Sequence, residues 1–244
     1  MKQLVLRGLR GGIGATSLLA GLGIALHEQG ERVLLIDLSP DNMLRLHFSV
    51  DVAYASGWAR AQLDAAPWHE SALELLPGLH LLPYGELGGA EISQIEGQLC
   101  ADSSCWAQRC DLIGHNYDWV LFDLPQRLPG HRAVVSEANR ADVLIDLATP
   151  DPGCHVLLQQ RPRPDADLLL INRFNPASQL QRDLLLLWRS QPRSNRQPQL
   201  IHEDEALPES LAHKLPIGHY APKSQAASDL RSLALWCLAQ RAKC

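Results

Sequence analysis

Short apolar runs rich in Val, Leu and Ile alternate with longer segments of helical period along the whole chain, the signature of beta-alpha units around a parallel sheet. The first run, at positions 4–6, predicts a buried strand. A helix over 16–29 follows, with Leu18, Leu19, Leu22, Ala25 and Leu26 on its apolar face, and Gly30 ends it. A second strand over 32–37 finishes on a carboxylate, Asp37. Further strands are expected at 79–82, 119–122, 143–147, 168–171 and 200–201, with helices near 92–110, 131–139, 178–190 and 224–240. The stretch 191–199 holds Pro192 and Pro198 among Ser, Asn and Arg and reads as a surface loop. The fold class expected is therefore α/β, a mostly parallel central sheet flanked by helices. At 244 residues the chain forms one domain spanning 1–244 on this reading.

In an open parallel sheet, ligands bind beyond the C-terminal ends of the strands, so residues that follow strands are the ones to inspect. After the first strand comes Gly8-Leu9-Arg10-Gly11-Gly12-Ile13-Gly14-Ala15-Thr16-Ser17. Glycines there let backbone N–H groups converge on a phosphate, and the positive end of the following helix adds to the attraction. Against GxxxxGK[ST], Leu9 stands for the first glycine and Ala15 for the lysine, leaving Gly14 and Thr16 as matches. A plain glycine-rich turn from strand to helix is the competing reading. Asp37 and Asp123, each ending a strand, are placed to hold magnesium-bound water beside phosphates, or simply to cap a turn. The three features occur in the order a nucleotide site requires.

Composition narrows the partners. With 22 basic and 27 acidic residues the net charge is −5, which disfavours a general polyanion binder and nucleic acid in particular. The densest basic cluster, Arg161 and Arg163 with Arg182, Arg189, Arg193 and Arg196, reads as solvated surface. The chain shows neither an apolar run of membrane-spanning length nor a signal peptide, so a cytoplasmic location is expected. Six cysteines without CxxC spacing are expected as thiols in a reducing compartment, and ten histidines are scattered without ligand spacing. Cys154 and His155 are adjacent, which rarely lets two side chains converge as a catalytic pair. The tryptophans are expected as core or interface anchors.

Arg10-Gly11-Gly12-Ile13-Gly14-Ala15-Thr16 resembles the deviant Walker A loop, KGGxGKT, of the MinD/ParA ATPases, with Arg10 in the place of their signature lysine. Residues 35–42, Leu-Ile-Asp-Leu-Ser-Pro-Asp-Asn, resemble the DxDPxxN switch I segment. Phe122-Asp123-Leu124-Pro125 resembles the DxxP switch II, and Ile171-Asn172-Arg173-Phe174 the adenine-contacting segment. The stretch 216–230 is similar to the ParA ending. A narrower similarity, in residues 39–46, 57–61, Cys154-His155 and 200–206, is to the MinD-like proteins of bacterial cellulose-synthase operons.

The resemblance implies a P-loop NTPase fold and a site for ATP with Mg2+. Arg10, Gly11, Gly12, Ile13, Gly14, Ala15, Thr16 and Ser17 would hold the phosphates. Thr16 would ligate magnesium, with Asp37 and Asp123 acting through water. Asn172 and Arg173 would meet adenine, and Pro216 and Gly218 belong to a loop expected to close over the base. Asn172 as a strand-end turn residue, Thr16 as a cap and Arg10 as a solvent-facing side chain are the plain alternatives. Ser39 occupies the position of the second aspartate of DxD, which in the family positions the attacking water, so slow or absent hydrolysis is expected. Implied partners are a second copy across ATP, a small BcsR-like protein, a BcsE-like regulator and the cellulose synthase complex, with the inner membrane reached only through them. An active partitioning or positioning ATPase is the alternative function, and a scaffold that binds no nucleotide is a third.

Overall fold

The structure, a computed structural model, describes residues 1–102, 104–125, 128, 141–160, 165–190 and 199–241. The helix expected over 131–139, residues 191–198 of the expected loop, and Arg161, Arg163, Arg193 and Arg196 lie outside them.

Strand β1 (Lys2–Gly8) leads through the glycine-rich turn into α1 (Ala15–His27) and then β2 (Val33–Asp37). A 3-10 turn (Leu44–Phe48), α2 (Trp58–Leu63), β3 (Leu73–Leu76), β4 (Leu79–Leu82), α3 (Gly89–Ala101) and α4 (Cys105–Ile113) follow. The second half comprises β5 (Trp119–Asp123), β6 (Val143–Ala148), α5 (Pro152–Gln160), β7 (Leu168–Phe174), α6 (Gln179–Ser190), β8 (Gln199–His202), α7 (Ala206–Ala212), α8 (Ile217–Tyr220) and α9 (Gln225–Arg241). The strands form one sheet in the order β3-β4-β2-β5-β1-β6-β7-β8, parallel except for β3 against β4. The expected α/β class holds.

Alternation along the central strands divides the core. Leu4 and Leu6 of β1, Val33 and Leu35 of β2, and Trp119 and Leu121 of β5 face α1 and α9. Val5, Leu34, Ile36, Val120 and Phe122 face the layer built from α2, α3 and α4. A satellite cluster under α5 and α6 contains Cys154, Leu184, Leu185 and Trp188. Because both faces are covered, these strands are apolar at nearly every position, as parallel strands require.

In the second layer Trp58, Trp68 and Trp106 surround the Arg109 guanidinium, whose carbon lies 5.5, 5.0 and 4.8 Å from their ring centroids. The tryptophans are thus anchors, as expected, and the cation sits on their electron-rich faces. The Trp58 indole N–H donates to the Asp37 backbone carbonyl at 2.8 Å, which ties this layer to the end of β2.

Three expectations need correction. The single helix expected over 92–110 is two, because Asp102 turns the chain between α3 and α4, its carboxylate accepting from the Ser104 N–H and hydroxyl. Strand β3 and helices α2, α5 and α7 were not expected at all. The 216–220 stretch, expected as a loop, contains the helix α8.

Candidate functional site

The C-terminal ends of β1, β2, β5 and β7 open onto a cleft of about 660 Å3, within the range of small-molecule sites. It is lined by residues 10–17, by Ser39, Asp41 and Met43 after β2, by His47 of the 3-10 turn, by Asp123, by Arg173 near the end of β7 and by Leu211 of α7. The turn entering α1 runs through Gly12 at φ 74° and Gly14 at φ 90°, left-handed conformations that side chains rarely adopt. A Cβ at Gly14 would lie 2.7 Å from the Asn172 amide nitrogen. The first N–H groups of α1 have no intrahelical partner, so this end of the helix attracts anions.

Below the turn stand two carboxylates. Asp37 and Asp123 are direct register partners on adjacent parallel strands. The Asp123 carboxylate accepts a hydrogen bond from the Thr16 hydroxyl at 2.7 Å. Asp37 accepts from the N–H groups of Ser39 at 2.8 Å and Leu44 at 3.1 Å, and it does not line the cleft directly. Both are almost fully buried. Burial raises Asp37 well above the usual carboxylate range, and the neighbouring Asp123 charge adds to it. Burial likewise pushes Asp123 up to about 6, against the Thr16 hydrogen bond. Two buried acids whose raised pKa values are relieved by no cation among the described residues are a place where a hard divalent ion would offset unfavourable charge. Among the described residues no group of three or more His, Cys, Asp or Glu forms a protein cage for a metal. Thr16 and Asp123 at the cleft wall therefore fit Mg2+, which characteristically keeps several waters.

The cations are arranged differently from expectation. Ala15 presents only a methyl group to the cleft. Arg10 lines the cleft as a half-exposed side chain held in an ion pair. Its guanidinium pairs with Asp151 at 2.9 Å and donates to the Thr149 hydroxyl at 3.1 Å. Asp151 in turn accepts the Cys154 N–H at the start of α5. Burial works against its charge, but the hydrogen bonds from Thr149, Arg10 and Cys154 prevail and hold the carboxyl at about 2.

Asn172 engages the glycine turn. It is buried, its amide N–H donates to the Ile13 carbonyl at 2.8 Å, and its carbonyl accepts the Arg173 N–H at 2.9 Å. It clamps the glycine turn from beneath with one amide N–H and one carbonyl lone pair still unused, and it does not itself line the cleft. Arg173, at φ 57°, does line it. Pro216 and Gly218 do not. Pro216 is the N-cap of α8, and a Cβ on Gly218 would touch Ile24 of α1 at 3.1 Å. They seat α8 on α1 instead of covering the cleft. Cys154 and His155 diverge as expected: the thiol is buried beside Thr149, and the imidazole accepts from the Trp188 indole N–H at 3.1 Å.

One cleft residue was invisible in sequence. His47 is 2% exposed and has no signal beyond being one histidine among ten. Its place next to the glycine turn depends on how the 3-10 turn packs against α1 and α7.

The family model for the cellulose biosynthesis protein BcsQ matches residues 1–238. The Escherichia coli (strain K12) cellulose biosynthesis protein BcsQ is 38% identical over 240 residues, covering 98% of this chain and 94% of that protein. Among solved structures, the septum site-determining protein MinD from Pyrococcus horikoshii, complexed with Mg-ADP, superposes with a TM-score of 0.71 at 20% identity, covering 96% of this chain and 94% of that one. Cobyrinic acid a,c-diamide synthase from Mycobacterium smegmatis, with a bound ATP analogue and magnesium, gives 0.73 at 21% identity, with 98% and 94% covered. The structural likenesses establish the P-loop ATPase fold of the MinD type. Since the match to BcsQ runs from β1 through nearly all of α9, it takes in the glycine turn, both carboxylates and the Asn172 clamp together. The chain belongs to the cellulose biosynthesis protein BcsQ family.

Proposed function

We propose that this chain is an ATP-binding accessory subunit of a bacterial cellulose synthase complex, in which Mg-ATP joins two copies into a homodimer and is hydrolysed slowly or not at all. One observation carries the reading. The cleft keeps a glycine cradle, Thr16 and Asp123 together, yet presents Ala15 and Ser39 where a phosphate-gripping lysine and a water-orienting carboxylate would stand. The cradle and the helix end would bind phosphates through backbone N–H groups. Thr16, with Asp123 and Asp37 behind it, would hold Mg2+, whose charge would offset that of the phosphates. A serine hydroxyl is not a base at neutral pH, and loss of a water-orienting group lowers phosphoryl-transfer rates by orders of magnitude. Nucleotide then serves as a structural ligand of the dimer.

Family membership supports a place in the cellulose-secretion machinery, with a BcsR-like protein, a BcsE-like regulator and the synthase as partners. The location is cytoplasmic, at the inner membrane only through that complex. Among the described residues no helix is long and apolar enough to cross a membrane.

The test is the nucleotide carried by the purified protein, read together with its mass in solution. Intact ATP in a dimer supports the reading. ADP in a monomer, or multi-turnover phosphate release abolished by Asp37→Ala, overturns it.

A further inference from the structure

We infer that Arg45 is a positioning residue of the nucleotide site: its buried guanidinium is the template on which the wall of the cleft from Ser39 to His47 is folded, so that ligand affinity depends on a side chain outside the cleft lining. The inference rests on the nucleotide reading of the cleft and goes beyond it in naming what shapes the wall beside Asp37.

Arg45 lies in the 3-10 turn between Met43 and His47, which both line the cleft, yet it does not line the cleft itself. Its side chain reaches instead into the segment that follows. Nε donates to the Asn42 carbonyl at 3.1 Å, Nη2 to the Val52 carbonyl at 2.9 Å and Nη1 to the Tyr54 carbonyl. One guanidinium thus ties the wall to chain 7 and 9 positions further on. Among the described residues none of its hydrogen-bond partners is a carboxylate. The same wall is fixed on its other side by Asp37, which accepts the Ser39 and Leu44 N–H groups. Asn42, at φ 50°, completes the frame, its side-chain oxygen accepting the Tyr84 N–H at 3.2 Å.

Burying a guanidinium is costly unless its N–H groups are satisfied, and here main-chain oxygens satisfy them. Those oxygens belong to chain that has no ladder of its own. Residues 49–56 form neither strand nor helix, and Asp51, Val52, Ala53, Ala55 and Ser56 are exposed. With so little apolar burial to offset the entropy of ordering it, this segment is organised around a cation in place of a hydrophobic core. Arginine suits the task because its N–H donors form a rigid planar fork whose charge strengthens every bond. Lysine carries the same charge at a point, without the fork. Leu44 stands next to Arg45 in the chain, and its N–H bond to Asp37 is the link through which a slack wall would reach the buried carboxylates and the Mg2+ position beside them.

Calorimetric titration of the nucleotide-free full chain with Mg-ATP and with magnesium tripolyphosphate, joined to hydrogen exchange read by mass spectrometry, tests the assignment. Arg45→Lys keeps the charge and the stem but not the fork, and Arg45→Gln keeps a planar amide without the charge. Each is expected to weaken both ligands about tenfold or more, the scale of one charge-assisted hydrogen bond. Exchange should quicken over residues 42–54 while α1 and α9 keep their wild-type protection. Exchange that quickens evenly along the whole chain, with the affinity of the folded protein unchanged, overturns the inference, since Arg45 would then support the fold in general. In the wild type, Mg-ATP should slow exchange over residues 42–54 together, and an unchanged rate there overturns the inference even where a variant fails to fold. Binding by both variants within about twofold of wild type overturns this inference alone. A wild-type protein that binds neither ligand overturns the nucleotide reading itself and the inference with it.

Discussion

The Asp37–Asp123 pair makes the ligand-free protein less stable than its packing allows, and Asp123→Asn should release that strain. Burial raises the Asp123 carboxyl from 3.8 to about 6 in the folded chain. Between those values the folded state holds a proton that the unfolded chain has released. Stability therefore falls as pH rises through this window, and the deficit persists above it. A shift of roughly two units corresponds to about 3 kcal/mol at neutral pH. Asparagine removes the charge and keeps an oxygen that can accept the Thr16 hydroxyl proton. Urea unfolding of wild type and variant in EDTA across a pH series reads the effect. Their stability difference should be near zero at pH 4 and reach about 3 kcal/mol in favour of the variant above pH 6. His47 titrates with the opposite sign: its lowered pKa makes stability rise with pH between about 4 and 6.5. The wild-type profile is consequently flattened, whereas the difference between the two proteins cancels the histidine. A difference that is flat in pH, or a variant less stable throughout, would refute the buried-acid reasoning.

Two further substitutions probe the supports of the cleft. Asn172→Ala breaks the clamp on the Ile13 carbonyl and should cost about 1–2 kcal/mol in urea unfolding. In calorimetric titration it should weaken Mg-ATP and magnesium tripolyphosphate alike. Arg10→Ala removes a half-exposed ion pair and should change monomer stability by less than about 1 kcal/mol, while lowering the dimer fraction in Mg-ATP by sedimentation. An unchanged dimer fraction would show that Arg10 does not leave Asp151 for a phosphate.

Much of this arrangement could be read from the sequence because it is local. The glycine turn, the strands ending in Asp37 and Asp123, and the helix stopped by Gly30 are each encoded within a few consecutive residues. What escaped depends on distant pairing. Strand β3 is a four-residue run, Leu73–Leu76, and becomes a strand through antiparallel pairing with β4. The same holds for side-chain roles. Asn172 stands beside Arg173 in a segment that resembles a base-contacting motif, yet the Ile13 carbonyl, 159 positions away, takes its amide. Arg10 is separated by 141 positions from the carboxylate that holds it. Composition and spacing could rank the candidate residues, but their hydrogen-bond partners were decided by the tertiary fold.

The indole of Trp58, bonded to the carbonyl of Asp37, gives the protein a built-in optical probe. Indole emission responds to its hydrogen-bonding environment and to an adjacent cation, and Arg109 lies over the same ring. A ligand that shifts the end of β2 must disturb this bond and thereby the emission. Occupancy of the cleft can then be followed by intrinsic fluorescence in the unlabelled chain, with Trp58→Phe separating its contribution from that of the other five tryptophans.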